Sequence, residues 1–122
     1  MPKIENFEEL ECWKSAKDLT ILIYSICNSE ALKVEFTAKD QLKRAALSSM
    51  NNIAEGFGRF SNKESIRFYN ISTASLDEVH SMLLVYSELG FIESIQKNEA
   101  IETLKRAKHQ TLAFIKYLSG KL

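Results

Sequence analysis

The scarcity of helix-breaking residues is what most constrains this chain. In 122 residues there is one proline, Pro2, and only four glycines, at positions 56, 58, 90 and 120. Apolar residues recur three and four apart along almost the whole length, and no window alternates convincingly at period two. Strands are therefore not expected. Four helices are, over about residues 7–28, 38–57, 62–89 and 97–119, in a single domain spanning 1–122. Asn6 with Glu9, Thr37 with Asp40, and Ser61 with Glu64 have the spacing of helix starts. Gly90 suits the left-handed residue that closes the third helix, and Gly120 ends the fourth. The short links require consecutive helices to run antiparallel. The expected fold is thus all-α, an up-down-up-down four-helix bundle.

Composition narrows the function classes. Sixteen basic and sixteen acidic residues cancel, which argues against a chain that coats nucleic acid through global charge. The charge is nonetheless segregated: net −3 over 1–36, +3 over 37–67, −4 over 68–96 and +4 over 97–122. Helices of opposite sign would attract their neighbours, or the second and fourth would present basic surface to a partner. Cys12 and Cys27 share one expected helix and stand about 22 Å apart along it, too far for a disulfide. They read as small buried hydrophobes of a reducing compartment. No apolar run is long enough to span a bilayer, and no signal-peptide pattern opens the chain. A cytoplasmic protein without membrane contact is expected.

The densest information lies in QLKRAALSSMNNIAEGFGR, residues 41–59. On a helical wheel Leu42, Ala46, Met50, Ile53 and Phe57 form a core stripe. Gln41, Arg44, Ser48, Asn51, Asn52, Glu55 and Arg59, bordered by Ala45 and Gly56, gather in a second sector about 27 Å long. A solvated face usually carries Lys and Glu. Two adjacent asparagines and a glycine are poor helix formers. Small and amide side chains let a neighbouring backbone approach and offer it hydrogen bonds. This strip is expected to meet protein. Glu55 and Arg59 are spaced to pair at i,i+4. Antiparallel folding about residue 60 brings Glu78 to the level of Arg44 and predicts an inter-helix Arg44–Glu78 ion pair. The third helix carries an apolar sector about 160° wide that encloses Ser72 and Ser75. The fourth has an expected seam of Ile101, Leu104, Lys108, Thr111, Ile115 and Leu118. Leu10, Ile21, Ile66, Leu84 and Val85 fall off the expected faces, which points to self-association.

No catalytic constellation is legible. His80 and His109 lack a zinc-type partner one turn away; their i±4 neighbours are Leu76 and Leu84, and Lys105 and Ala113. GFGR ends a helix and does not follow a strand, so it is no phosphate loop. No metal, cofactor or enzymatic activity is expected.

The motifs Gln41-Leu42-x-Arg44-Ala45, Asn52-Ile53-Ala54-Glu55-Gly56, Arg59, Ser61-x-Lys63-Glu64 and Ser75-Leu76-x-Glu78, with Leu10 and Trp13 upstream, closely resemble the bacterial four-helix bundle family. That family includes the proteins encoded in intervening sequences of 23S ribosomal RNA, and accessory variability determinant proteins of diversity-generating retroelements are related. Ala74 stands where the family often has glycine. The resemblance implies an antiparallel bundle assembled as a homopentameric ring, with no known catalysis. For the retroelement relatives it implies binding to nucleic acid and to a reverse transcriptase. The resulting expectation is a non-enzymatic oligomeric module associated with RNA or a ribonucleoprotein. Its candidate contacts are Lys39, Lys43, Arg59, Lys63, Arg67, Lys105, Arg106 and Lys108. The competing reading is a protein–protein assembly adaptor that touches no nucleic acid.

Overall fold

The computed structural model describes residues 3–122. It contains a 3₁₀ turn, Phe7–Glu9, followed by four helices: α1 (Glu11–Cys27), α2 (Phe36–Phe57), α3 (Asn62–Glu88) and α4 (Ser94–Ser119). No strand occurs among the described residues. Cross-helix contacts give the register. Thr20 of α1 reaches Ala46 of α2, Ser48 of α2 reaches Ser75 of α3, Lys108 of α4 reaches Asp77 of α3, and Ser15 of α1 reaches Gln110 of α4. Each helix is antiparallel to its two neighbours and the ring of four closes, which is the up-down-up-down bundle.

The element boundaries have local causes. The first segment is not one helix. The Glu9 carboxylate accepts from the backbone N–H groups of Glu5 and Asn6, both at 2.9 Å. These bonds favour its charged form and lower its pKa. Leu10 then adopts an extended conformation (φ −70°, ψ 129°) and starts α1 afresh. That break turns Leu10 into the core, whereas a continuous helix had placed it off the face. The α2 start falls at Phe36 after Glu35, so the Thr37–Asp40 spacing does not mark it. Ser61 caps α3, its hydroxyl accepting from the Glu64 N–H at 3.2 Å. Gly90 has φ +80°. Its N–H reaches the Ser87 carbonyl and the Phe91 N–H reaches the Tyr86 carbonyl. The Tyr86 and Phe91 rings then pack 5.9 Å apart, completing a Schellman closure with its apolar contact.

Two clusters fill the interior. Leu19, Ile23, Ile26, Leu32, Leu42, Leu76, Val79, Leu83 and Leu104 occupy one half. Leu10, Cys12, Ala16, Ile53, Tyr69 and Leu118 occupy the other, with Ile66, Phe57 and Phe114 packed against them. Ile66 is therefore a core-edge residue, not one opposite the core. The α4 seam runs Ala100, Leu104, Ala107, Thr111, Leu118. Small Ala100 and Ala107 take the inner positions, and Lys108 swings to the edge, where its Nζ lies 2.6 Å from Asp77. Ile21, Leu84 and Val85 remain exposed.

Candidate partner interface on the second and third helices

The contact between α2 and α3 is made by small polar residues. Ser48 and Ser75 share a hydrogen bond of 2.7 Å between hydroxyls. Asn52 donates through Nδ2 to the Ser48 carbonyl at 2.8 Å and to the Ser48 hydroxyl at 3.1 Å. Buried Ser72 donates to the Ser49 carbonyl at 2.6 Å, and buried Ser49 donates to Ala46 O at 2.7 Å. Thr20 adds a bond from α1 to the same Ala46 carbonyl at 3.1 Å. Gly56 lies under Tyr69. A Cβ there would come 2.7 Å from Tyr69 Cε1 and 3.1 Å from the Ser65 carbonyl oxygen. No larger side chain fits at Gly56 without displacing α3. Among the described residues no buried side-chain nitrogen or oxygen lacks a hydrogen-bond partner.

The strip of residues 41–59 is thus divided. Ser48, Asn52 and Gly56 face α3. Gln41, Arg44, Asn51 and Glu55 point outward along its edge. Arg59 closes the strip at the bundle end. It pairs with Glu55 through Nη2, lies 3.9 Å from Glu64, and rests over the Phe68 ring at 4.5 Å. Asn51, Ala54, Glu55, Gly58 and Arg59 line a shallow surface depression of about 540 Å³.

The expected Arg44–Glu78 ion pair is not formed. Arg44 Nε bonds Asp40 at 2.9 Å, one turn back on its own helix, and Glu78 is exposed with no ion pair among the described residues. An i,i+4 partner is in reach without crossing the seam, and water solvates both groups at little cost. Glu78→Ala and Glu88→Ala should therefore change stability equally, each within about 0.5 kcal/mol of the parent. A melting loss from Glu78→Ala several-fold larger would reveal a buried role for that carboxylate.

The basic candidates divide into three groups. Lys39 and Lys43 lie near the start of α2. Arg59, Lys63 and Arg67 lie about 24 Å further along, at the other end of the bundle. Lys105, Arg106 and Lys108 are on α4, diagonally across from α2. Arg106 contacts Asp18 at 3.7 Å and Lys108 contacts Asp77, so both already link helices. This accounts for part of the alternating charge: basic α4 is held by acidic neighbours on both sides. The wheel sectors single out neither Ser49 nor Thr20, and spacing reads Asp40 as part of a helix start, not as the partner of Arg44. Ala45, Ser49, Asn52 and Gly56, spaced at helical intervals, carry the signal that would have found Ser49.

Reactive groups are muted. Burial pushes the Cys12 thiol up to about 11 and raises Cys27 as well, so little thiolate is present near neutrality. No group of three or more His, Cys, Asp or Glu able to hold a metal ion is found among the described residues. No helix is long and apolar enough to cross a membrane.

Fold and seam together define an antiparallel four-helix bundle whose second and third helices meet through serine, asparagine and glycine, with an amide- and arginine-bearing edge facing out. The chain belongs to the 23S rRNA-intervening sequence protein family, whose model matches residues 8–112 and so covers every residue of the α2–α3 seam. No curated protein matches it.

Proposed function

We propose that this chain is a non-enzymatic, oligomeric binding module of the cytoplasm that associates with RNA or a ribonucleoprotein. The observation that carries the reading is the family match over residues 8–112, to proteins named for an insertion in 23S ribosomal RNA. Local charge supports it. Lys39, Lys43, Lys63, Arg67 and Lys105 have no carboxylate within 4 Å among the described residues. They can meet phosphates without first breaking an ion pair. With zero net charge, attraction must come from such local groups. Titration of a structured RNA at rising salt tests this: each phosphate neutralised adds about 0.7–0.9 to the slope of log affinity against log salt. A flat response, or no binding at low salt, removes the RNA reading.

Self-association into a pentameric ring belongs to the same proposal. The outward edge of Gln41, Arg44, Asn51 and Glu55 lies beside exposed Ile71, Glu78 and Val85 of α3, a mixed surface suited to another copy. Light scattering should give about five times the 13.9 kDa chain mass. A monomer at micromolar concentration would contradict the ring. A second reading, an adaptor that gathers protein partners, draws support from Phe60, 106 % exposed at the α2–α3 link. It requires that complexes survive nuclease treatment.

A further inference from the structure

A different face of the bundle carries a more specific inference, which rests on the RNA reading above. Where the end of α1 meets the start of α2, two aromatic rings and two lysines lie together. Phe36, the first residue of α2, is 73 % exposed, and Tyr24 of α1 is 38 % exposed. Lys39 Nζ lies 5.0 Å from the Phe36 ring centroid, and Lys43 Nζ lies 4.7 Å from that of Tyr24. Phe36, Lys39 and Lys43, with Thr37 and Asp40, line a surface depression of about 430 Å³.

Each part has a chemical consequence. An ammonium over an exposed ring is held there only weakly. It can leave that position readily for a phosphate. Lys39 also donates to the Lys33 carbonyl at 3.1 Å, an exposed bond that water can replace when the head moves. Lys39 and Lys43 are one turn apart on a single helix edge, about 6 Å. The nearby acids are largely matched: Asp40 bonds Arg44 at 2.9 Å and Glu30 lies 3.4 Å from Lys33, while Glu35 stands at the helix cap without an ion pair among the described residues. The patch therefore alternates π-faces with positive charge.

We infer that Phe36 and Tyr24 form a stacking platform for unpaired RNA bases, with Lys39 and Lys43 holding the phosphates of that strand. Aromatic faces flanked by cations suit single strands, because an unpaired base can leave its own stack and lie on a ring. A duplex keeps its bases inside and meets such a patch only through its backbone. The platform stands apart from Arg59, Lys63 and Arg67 at the opposite end of the bundle.

The test is fluorescence anisotropy with a short unpaired oligoribonucleotide and a duplex of equal length. Parent protein is compared with Phe36→Leu, Lys39→Ala/Lys43→Ala and Lys116→Ala, all on exposed or half-buried positions, with folding checked by circular dichroism and mass by light scattering. The parent should prefer the unpaired strand. Phe36→Leu keeps apolar bulk but loses the π-face, and should weaken unpaired-strand binding about tenfold at unchanged salt slope. The double lysine variant should lower the slope by about 1.4, two phosphates at 0.7 each for a single strand. Lys116→Ala should leave the unpaired-strand slope unchanged.

If the parent binds RNA and both patch variants bind it equally well, the platform is wrong and the general RNA reading stands. Preference for duplex overturns the stacking role. If the parent binds no RNA, both proposals fall. A changed oligomer mass in Phe36→Leu with RNA affinity intact would assign the patch to a second copy of the chain and overturn the inference.

Discussion

Tyr69→Ala is expected to destabilise the bundle by about 3–5 kcal/mol, the range for removing a large buried aromatic. Tyr69 is fully buried, packs among Leu10, Cys12, Ala16, Ile53 and Leu118, and stacks obliquely on Phe114 with ring centroids 5.3 Å apart. It also lies against Gly56. Truncation leaves a void bounded by helices that are already in close contact through α2 and α3, so the walls cannot collapse far. Burial raises the phenol pKa, which keeps the group neutral at physiological pH. Its loss is therefore one of packing and carries no charge effect. Against a typical total of about 5–15 kcal/mol, this one change consumes a large share. Denaturant melts should shift in midpoint with little change in slope. A loss under about 1 kcal/mol would mean that the cluster repacks around the void.

Gly56→Val should be the second largest effect. The first added carbon already meets Tyr69 Cε1 at 2.7 Å, Phe68 Cβ at 3.1 Å and the Ser65 carbonyl oxygen at 3.1 Å. The carbonyl belongs to the α3 backbone and the ring is locked in the core, so neither yields easily. Overpacking of this kind costs about 1–3 kcal/mol, and the branched side chain places it at the top of that range. Gly56→Ala should be milder, because alanine recovers about 1 kcal/mol of helix propensity. The mechanism is open to a coupling test. Combining Gly56→Ala with Tyr69→Leu removes the clashing ring edge, so the double variant should be less destabilised than the sum of the two singles. Strict additivity would show that Gly56 matters for helix termination and not for the approach of α3.

Much of the fold was legible because helical periodicity is a property of the chain itself. Leu42, Ala46 and Ile53 fall on one side of α2 in any α-helix, and the structure buries all three. The capping of α3 by Ser61 and the closure at Gly90 follow from backbone chemistry within a few residues. The i,i+4 pair of Glu55 and Arg59 is local in the same sense and forms. Spacing alone could not decide which polar residues of 41–59 face a neighbour. The strip is continuous on a wheel, yet the packing of α3 covers Ser48, Asn52 and Gly56 and leaves Gln41, Arg44, Asn51 and Glu55 outside. The Arg44–Glu78 expectation failed at this step, because matching levels on two helices do not establish matching directions. Lys108 was placed in the α4 seam by spacing, but a rotation of about one position put Ala107 inside and turned the lysine toward Asp77.

What the sequence alone determined is the number of helices, the antiparallel order of their succession and the family, since each rests on local periodicity, short links and a contiguous motif. What only the tertiary structure decided is the function-bearing surface: which serines close the α2–α3 seam, which cations remain without a carboxylate, and that Phe36 and Tyr24 stand beside Lys39 and Lys43. The physical reason is that a helix presents every direction to its surroundings. Only the packing of its neighbours, set by side chains far away in the chain, determines which of those directions is left to water.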